Sequence, residues 1–350
     1  MFYLYFVLIS SLLLSLFDIN KKKNSLGGVY FLLVLILIVF DGFKNYYLFS
    51  DQAGYEENLL FLDFSGRDNI GFQLLNRFFN HFSSSYTVLS TVIATFVLTV
   101  FSITFKKYSP NKWLSLFLFI VTNYIMAMLA IKQYIAMAIC LLSIKYIFNR
   151  QQIKFIICVA LAVSFHTSAA IFLPIYYLYG IDITRKKAIL LAIFIVLFII
   201  GFQLLIQYVL NFVGSSYAFY MDNYESESGG EATWNRAIFK LAILLVFIYS
   251  LGEKCVSDNL NHFVLCNMIL SFMICAGGVG LFGIFRLREF YFLGDVLGIP
   301  IMLSNLKNQP LIKKIIIPFF CIAYVVLLFN SFVEMVNTNF AQGYRFIWER

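Results

Sequence analysis

Long unbroken apolar stretches follow one another almost end to end through this chain, and they constrain its fold more than any other feature. Their apolar residues are consecutive, without the period-two alternation of a barrel strand. In a lipid solvent every backbone N–H and C=O must be satisfied within the protein, which leaves helices once barrel strands are set aside. A soluble core is no alternative. Hydrophobic residues make up 61% of the chain and charged residues 13%, against about 25% charged in a soluble domain. The expected fold class is therefore all-α: a polytopic integral membrane helical bundle of about ten to a dozen passes. It forms a single membrane domain over residues 1–350.

The apolar runs are Phe2–Phe17, Leu26–Phe40, Tyr86–Phe105, Trp113–Ile131, Tyr134–Phe148, Phe155–Gly180, Ala188–Val213, Ala237–Leu251, Phe263–Phe285, Phe290–Leu303 and Ile315–Phe332. The first has no basic residue before it and no small-residue cleavage site after it, so it reads as a retained helix and not a signal peptide. The positive-inside rule orients the runs. With Lys21, Lys22 and Lys23 in the cytoplasm, Lys106, Lys107, Lys112, Arg150 and Lys154 are cytoplasmic too. The segments 42–85 and 214–235 then become outer loops, and the tail Val333–Arg350 is outside. The loop 214–235 carries Asp222, Glu225, Glu227 and Glu231.

Phe155–Gly180 does not fit a single crossing. Arg150 and Lys154 precede it, Arg185, Lys186 and Lys187 follow it, and one crossing would put the second cluster outside. Ser164-Phe165-His166-Thr167-Ser168 interrupts its centre. Two half-helices of about 18 Å each would return the chain to its starting side. The segment is expected to be broken or re-entrant with His166 at its tip, a backbone tolerated only where it lines protein or water.

Several function classes fall away. The net charge of +8 does not indicate nucleic acid, because the positive residues cluster at the ends of apolar runs, where topology explains them. Neither GxxxxGK[ST] nor GxGxxG occurs, so nothing suggests a nucleotide cofactor. The six cysteines form no CxxC or Cys/His cluster, and the three histidines are dispersed. No metal site and no cofactor are expected. No internal repeat supports an inverted-repeat transporter.

Polar residues at membrane depth are functional candidates by default, and four clusters stand out. Asp51 is suited to act as a base or to bind sugar hydroxyls, with Tyr55 stacking on a sugar; a solvated loop acid is the simpler alternative. Lys132 and Gln133 lie at the outer junction of two runs, where Lys132 is either a phosphate-binding point charge or a snorkelling anchor. His166 sits with the hydroxyl residues Thr167 and Ser168 at the break in Phe155–Gly180, as a functional group or as a satisfied structural histidine. Arg286 and Arg288, followed by Glu289, Tyr291 and Phe292, lie between two runs. Their guanidinium forks match phosphate oxygens, unless Glu289 only neutralises one of them. The topology places all four clusters at the outer face. Their cations suggest an anionic ligand arriving from outside or within the lipid, and a lipid-linked phosphate fits best.

These elements also resemble a family. Lys132-Gln133 before an Ala-rich helix resembles the Arg-Gln element of the EpsG family of exopolysaccharide and O-antigen polymerases. Phe165-His166-Thr167-Ser168-Ala169-Ala170-Ile171-Phe172-Leu173-Pro174 resembles its Phe-His-x-Ser-Ala-hydrophobic-Pro element. Asp51…Tyr55 and Arg286-x-Arg288…Tyr291-Phe292 are similar as well, so the likeness runs roughly from Asp51 to Phe292. Lys132 departs from it, standing where the family usually carries arginine; lysine keeps the charge and loses the fork.

The resemblance implies a Wzy-type glycosyltransferase in the bacterial cytoplasmic (inner) membrane with its active site facing the periplasm. It would join undecaprenyl-diphosphate-linked repeat units into O-antigen, capsule or exopolysaccharide, with a flippase and a chain-length regulator as partners. Arg286, Arg288 and Lys132 would hold the diphosphate, whose developing charge needs cations. His166 and Asp51 are both candidates for the base. Gln133, Tyr55, Tyr291 and Ser168 would bind sugar or support the site. Two other readings stay open: a membrane O-acyltransferase that modifies polysaccharide, and a lipid or polysaccharide transporter. The first expects its histidine on the cytoplasmic side; the second expects symmetry or a charged path, toward which Asp295 alone contributes.

Overall fold

A computed structural model describes residues 2–17, 26–45, 50–62, 69–181, 234–277, 284–340 and 344–348, with scattered positions between 184 and 197. Lys21, Lys22 and Lys23 lie outside the described residues, as do most of the predicted run Ala188–Val213 and most of the 214–235 loop. The described chain is helical; its β pairing is a single isolated bridge between Lys44 and Phe346. Five of the described helices are long and apolar enough to cross a membrane: Tyr86–Tyr108, Lys112–Leu129, Ile131–Phe148, Asn259–Gly277 and Leu311–Asn339. Shorter apolar helices include Phe2–Phe17, Gly27–Gly42, Gln152–Phe165 and Thr167–Tyr179. This is the polytopic membrane bundle that the apolar runs predict. Its outer stripes suit lipid: Ile312, Ile315, Phe319, Ile322 and Val326 stay exposed along one long helix, where water would penalise them.

The chain divides into two compact units, residues 1–176 with 325–350, and residues 177–324. In the first, Gly27–Gly42 packs along Tyr86–Tyr108. Gly42 permits the approach, since a Cβ there would lie 2.6 Å from Thr91 Oγ1 and 2.8 Å from Thr91 Cα. Lys112–Leu129 contains a π-helical turn, Ile120–Tyr124, and ends at Ala130, whose φ of −97° and ψ of 58° break the helix. The chain reverses there. Asn123 Nδ2 donates to Tyr134 Oη at 3.0 Å, although on one straight helix their backbones would be about 16 Å apart.

The break expected within Phe155–Gly180 is present. Gln152–Phe165 stops at His166, whose extended backbone (φ −155°, ψ 118°) leads into a 3-10 turn, Thr167–Phe172, and then the helix Pro174–Tyr179. The second half folds back on the first. Phe155 stacks on Tyr176 with ring centres 5.1 Å apart, and Arg150 Nη1 donates to Tyr176 O at 2.8 Å.

Segment 42–85, read from its hydrophilic composition as a loop, holds two helices, Ser50–Phe61 and Ile70–Phe82. The second is amphipathic: Gly71, Phe72 and Asn76 are buried, whereas Ile70, Leu74, Phe78 and Phe82, each four residues after the last, stay exposed. Mean polarity hides this stripe because the opposite face carries the polar residues. The last helix, Leu311–Asn339, also outruns the predicted Ile315–Phe332. Beyond it, Ile347 N donates to Phe43 O at 3.0 Å and the Tyr344 ring stacks on Phe40 at 3.8 Å.

In the second unit Asn259–Gly277 packs against both Trp234–Leu251 and Leu293–Ser304. Gly294 and Gly298 face Met268; a Cβ on Gly294 would lie 3.0 Å from Met268 Cγ and 3.1 Å from its backbone N. Lys240 and Asp295, both buried, form an ion pair inside this packing.

Candidate functional site

The first unit builds a site around the start of the Ile70–Phe82 helix. Lys132 lies in the first turn after the Ala130 break, on the Ile131–Leu142 helix, and is half-buried. Its Nζ sits 5.2 Å from the Tyr55 ring centre and 5.3 Å from that of Phe72, within the range of cation–π attraction. Those two rings meet edge to face at 5.5 Å. Ring faces hold an ammonium in place by cation–π attraction. Gln133 is buried beside it in sequence, and Tyr55 is buried as one wall of the cradle.

The second component is the break at His166. Helix Gln152–Phe165 ends with His166 N donating to Ala162 O at 3.0 Å, and Ala169 N donates to His166 O at 3.0 Å. His166 Nδ1 and Ser168 Oγ share a hydrogen bond of 2.5 Å. That bond orients the ring. The Ile70–Phe82 helix packs against this break. Asn69 Nδ2 donates to Phe165 O at 2.9 Å, and a Cβ on Gly71 would lie 2.5 Å from Ser164 Oγ and 2.8 Å from Ser164 O. Glycine is required there by the close approach of two backbones. One helix start, residues 69–72, thus touches both the Ser164–Phe165 backbone through Asn69 and Gly71 and the Lys132 ammonium through Phe72. Tyr55, Lys132, His166 and Ser168 are brought to one region of the first unit.

Asp51 lies in the first turn of Ser50–Phe61, one turn before Tyr55. Its side chain lies outside the described residues, as does that of Arg286. Arg288 and Tyr291 belong to the second unit, on the 3-10 turn Ile284–Tyr291. Arg288 is half-buried and its Nη1 lies 3.9 Å from Cys275 Sγ. Burial alone would lower its pKa, but Cys275, Tyr324, Glu289 and Asp295 outweigh burial and the net shift is upward. Tyr291 is fully buried, which suits support of the turn more than stacking on a sugar.

Several polar residues were passed over in the sequence. Gln52 is fully buried next to Asp51; its Nε2 donates to Met128 O at 3.0 Å and Leu129 O at 3.1 Å, and its Oε1 accepts from Tyr86. Lys240 had a signal, as a lone cation within the run Ala237–Leu251, and Asp295 is its partner. Asp41 and Lys44 form a second buried pair at 2.5 Å, with Ser90 Oγ 3.4 Å from Lys44 Nζ.

Comparison with protein families matches residues 29–346 to the EpsG family. The chain belongs to the EpsG family, which puts it among the multi-pass membrane proteins of polysaccharide biosynthesis. Neither curated proteins nor solved structures give a match.

Proposed function

We propose that this EpsG-family protein is a polymerase that joins undecaprenyl-diphosphate-linked oligosaccharide repeat units at the outer face of the bacterial cytoplasmic membrane. The observation that carries the reading is the Lys132 cradle beside the His166–Ser168 break. It sets a cation near a hydrogen-bonded histidine in a chain otherwise built for lipid.

The chemistry is a displacement at an anomeric carbon. A hydroxyl of the acceptor sugar forms a new C–O bond to that carbon. The bond from the carbon to the lipid diphosphate breaks, and the diphosphate leaves with the electron pair. The hydroxyl proton passes to a base. His166 acts as that base from the tautomer in which Nδ1–H donates to Ser168 and the lone pair sits on Nε2; Asp51 is the other candidate. Lys132 stabilises the charge that develops on the leaving diphosphate. Arg288 and Arg286, in the second unit, are further cations for a diphosphate, since a guanidinium fork pairs with two phosphate oxygens. The glycosyl diphosphate bond supplies the free energy, so no nucleotide is needed. A flippase that delivers repeat units and a chain-length regulator are the partners such a reaction calls for.

Deleting the gene and running the surface glycan on a gel tests this reading. A polymerase deletion loses long chains and retains single repeat units. Normal ladders lacking a modification would instead indicate an acyltransferase, and loss of single units as well would indicate a transporter.

A further inference from the structure

The two helix breaks of the first unit share a device. A helix end leaves carbonyl oxygens without intrahelical donors, and in a membrane protein such groups must be satisfied from within. At the Ala130 break Gln52 Nε2 donates to Met128 O and Leu129 O at 3.0 and 3.1 Å. At the His166 break Asn69 Nδ2 donates to Phe165 O at 2.9 Å. The helix after the first break carries Lys132, and His166 follows Phe165 directly.

Both amides come from one short stretch of chain and repeat one arrangement. Three residues after Gln52 comes Tyr55, and three residues after Asn69 comes Phe72, the two rings that flank Lys132. Gln52 and Tyr55, three apart on Ser50–Phe61, share a helix face. Asn69 stands at the N-terminal cap position of Ile70–Phe82 and Phe72 lies in its first turn, so each helix start pins a break with an amide and presents an aromatic wall within one turn of it. Gln52 is in turn held by the Tyr86 hydroxyl, and Gly71 lets the second helix come close to Ser164.

We infer that Gln52 and Asn69 are positioning residues. Resting on the polymerase reading, the inference is that they hold the two breaks in register, so that Lys132 and His166 meet one lipid-linked substrate in fixed geometry. Neither amide needs to touch substrate for this. A misplacement of about 1 Å is enough to cost roughly 100-fold in rate.

The test uses the isosteric variants Gln52→Glu and Asn69→Asp in the full-length protein, reconstituted with a lipid-linked repeat unit. Each keeps the shape and replaces an N–H donor with an oxygen facing a carbonyl. At neutral pH both should lose polymerisation about 100-fold at unchanged membrane abundance. Gln52→Glu should recover relative to wild type as pH falls, because a protonated acid regains a donor; a merely unfolded protein would not recover. Tyr86→Phe, which removes one contact of Gln52, is the milder variant should Gln52→Glu fail to accumulate, and it should lose activity by a smaller factor. Wild-type rates in these variants beside an inactive Lys132→Ala would overturn the inference and leave the polymerase reading standing. If wild type itself fails to polymerise, the polymerase reading fails instead. Positioning is then read from alkylation of Lys132→Cys, whose rate should change on adding Gln52→Glu; an unchanged rate overturns the inference.

Discussion

Arg150 Nη1 donates to the Tyr176 carbonyl at 2.8 Å, and its guanidinium lies 4.3 Å from the centre of the same residue's ring. The contact closes a hairpin whose tip is His166, the fold that a segment re-entering on one side requires. Arg150 and the cluster Arg185, Lys186 and Lys187 should therefore face the same compartment. Single cysteines at Gln151 and at Thr184 should both resist an impermeant thiol reagent added to intact cells and react once the membrane is opened. Labelling of Thr184→Cys from outside would contradict the re-entrant reading.

Lys132 separates a binding cation from a membrane anchor. If its ammonium holds phosphate, Lys132→Ala should abolish polymer while Lys132→Arg retains much of it, because charge is the shared property. The readout is the glycan ladder at matched protein level. Long chains from Lys132→Ala would reduce the residue to a snorkelling lysine.

For Arg288 the fork matters in addition to the charge. Loss of a transition-state contact of this kind costs about 100- to 1,000-fold in rate. Arg288→Lys, made alongside Arg286→Lys, should leave the protein in the membrane and shorten the ladder severely for at least one of the two. Full ladders from both remove the pair from the mechanism.

The Lys240–Asp295 pair predicts stability, not chemistry. Asp295→Asn leaves a buried ammonium without its counter-ion, a loss of about 3–5 kcal/mol for a pair broken on one side. Replacing both partners with leucine should cost much less, since no buried charge remains. Thermal unfolding in detergent distinguishes the two variants. A single variant as stable as the double would show that the pair is not energetically coupled.

Much of this was legible in the sequence, because membrane helices announce themselves by run length and re-entry by charge. Phe155–Gly180 carried both signals: basic clusters at each end and polar residues in the middle. The reversal near Lys132-Gln133 was visible, as a polar interruption between two runs whose far ends at Lys112 and Arg150 are basic, but the position of the break at Ala130 was not, since apolar helix lies on either side of that residue. Gln52 and Asn69 were opaque for a different reason. Their partners are backbone carbonyls 76 and 96 residues away, and a carbonyl has no sequence signature. Lys240 and Asp295 were each visible as a lone charge in an apolar run, but their pairing across 55 residues was not. The helix Ile70–Phe82 was hidden by composition, because its apolar stripe is averaged against a polar face.

Purified protein in proteoliposomes, given only an undecaprenyl-diphosphate-linked repeat unit, tests the central claim most directly. Ladders of lipid-linked glycan extending by whole repeats, with release of undecaprenyl diphosphate and without nucleotide, are the expected result. They should disappear with Lys132→Ala and with His166→Ala at equal protein amount if His166 is the base. Failure to extend the repeat unit under these conditions, with the protein folded and correctly inserted, would contradict the assignment.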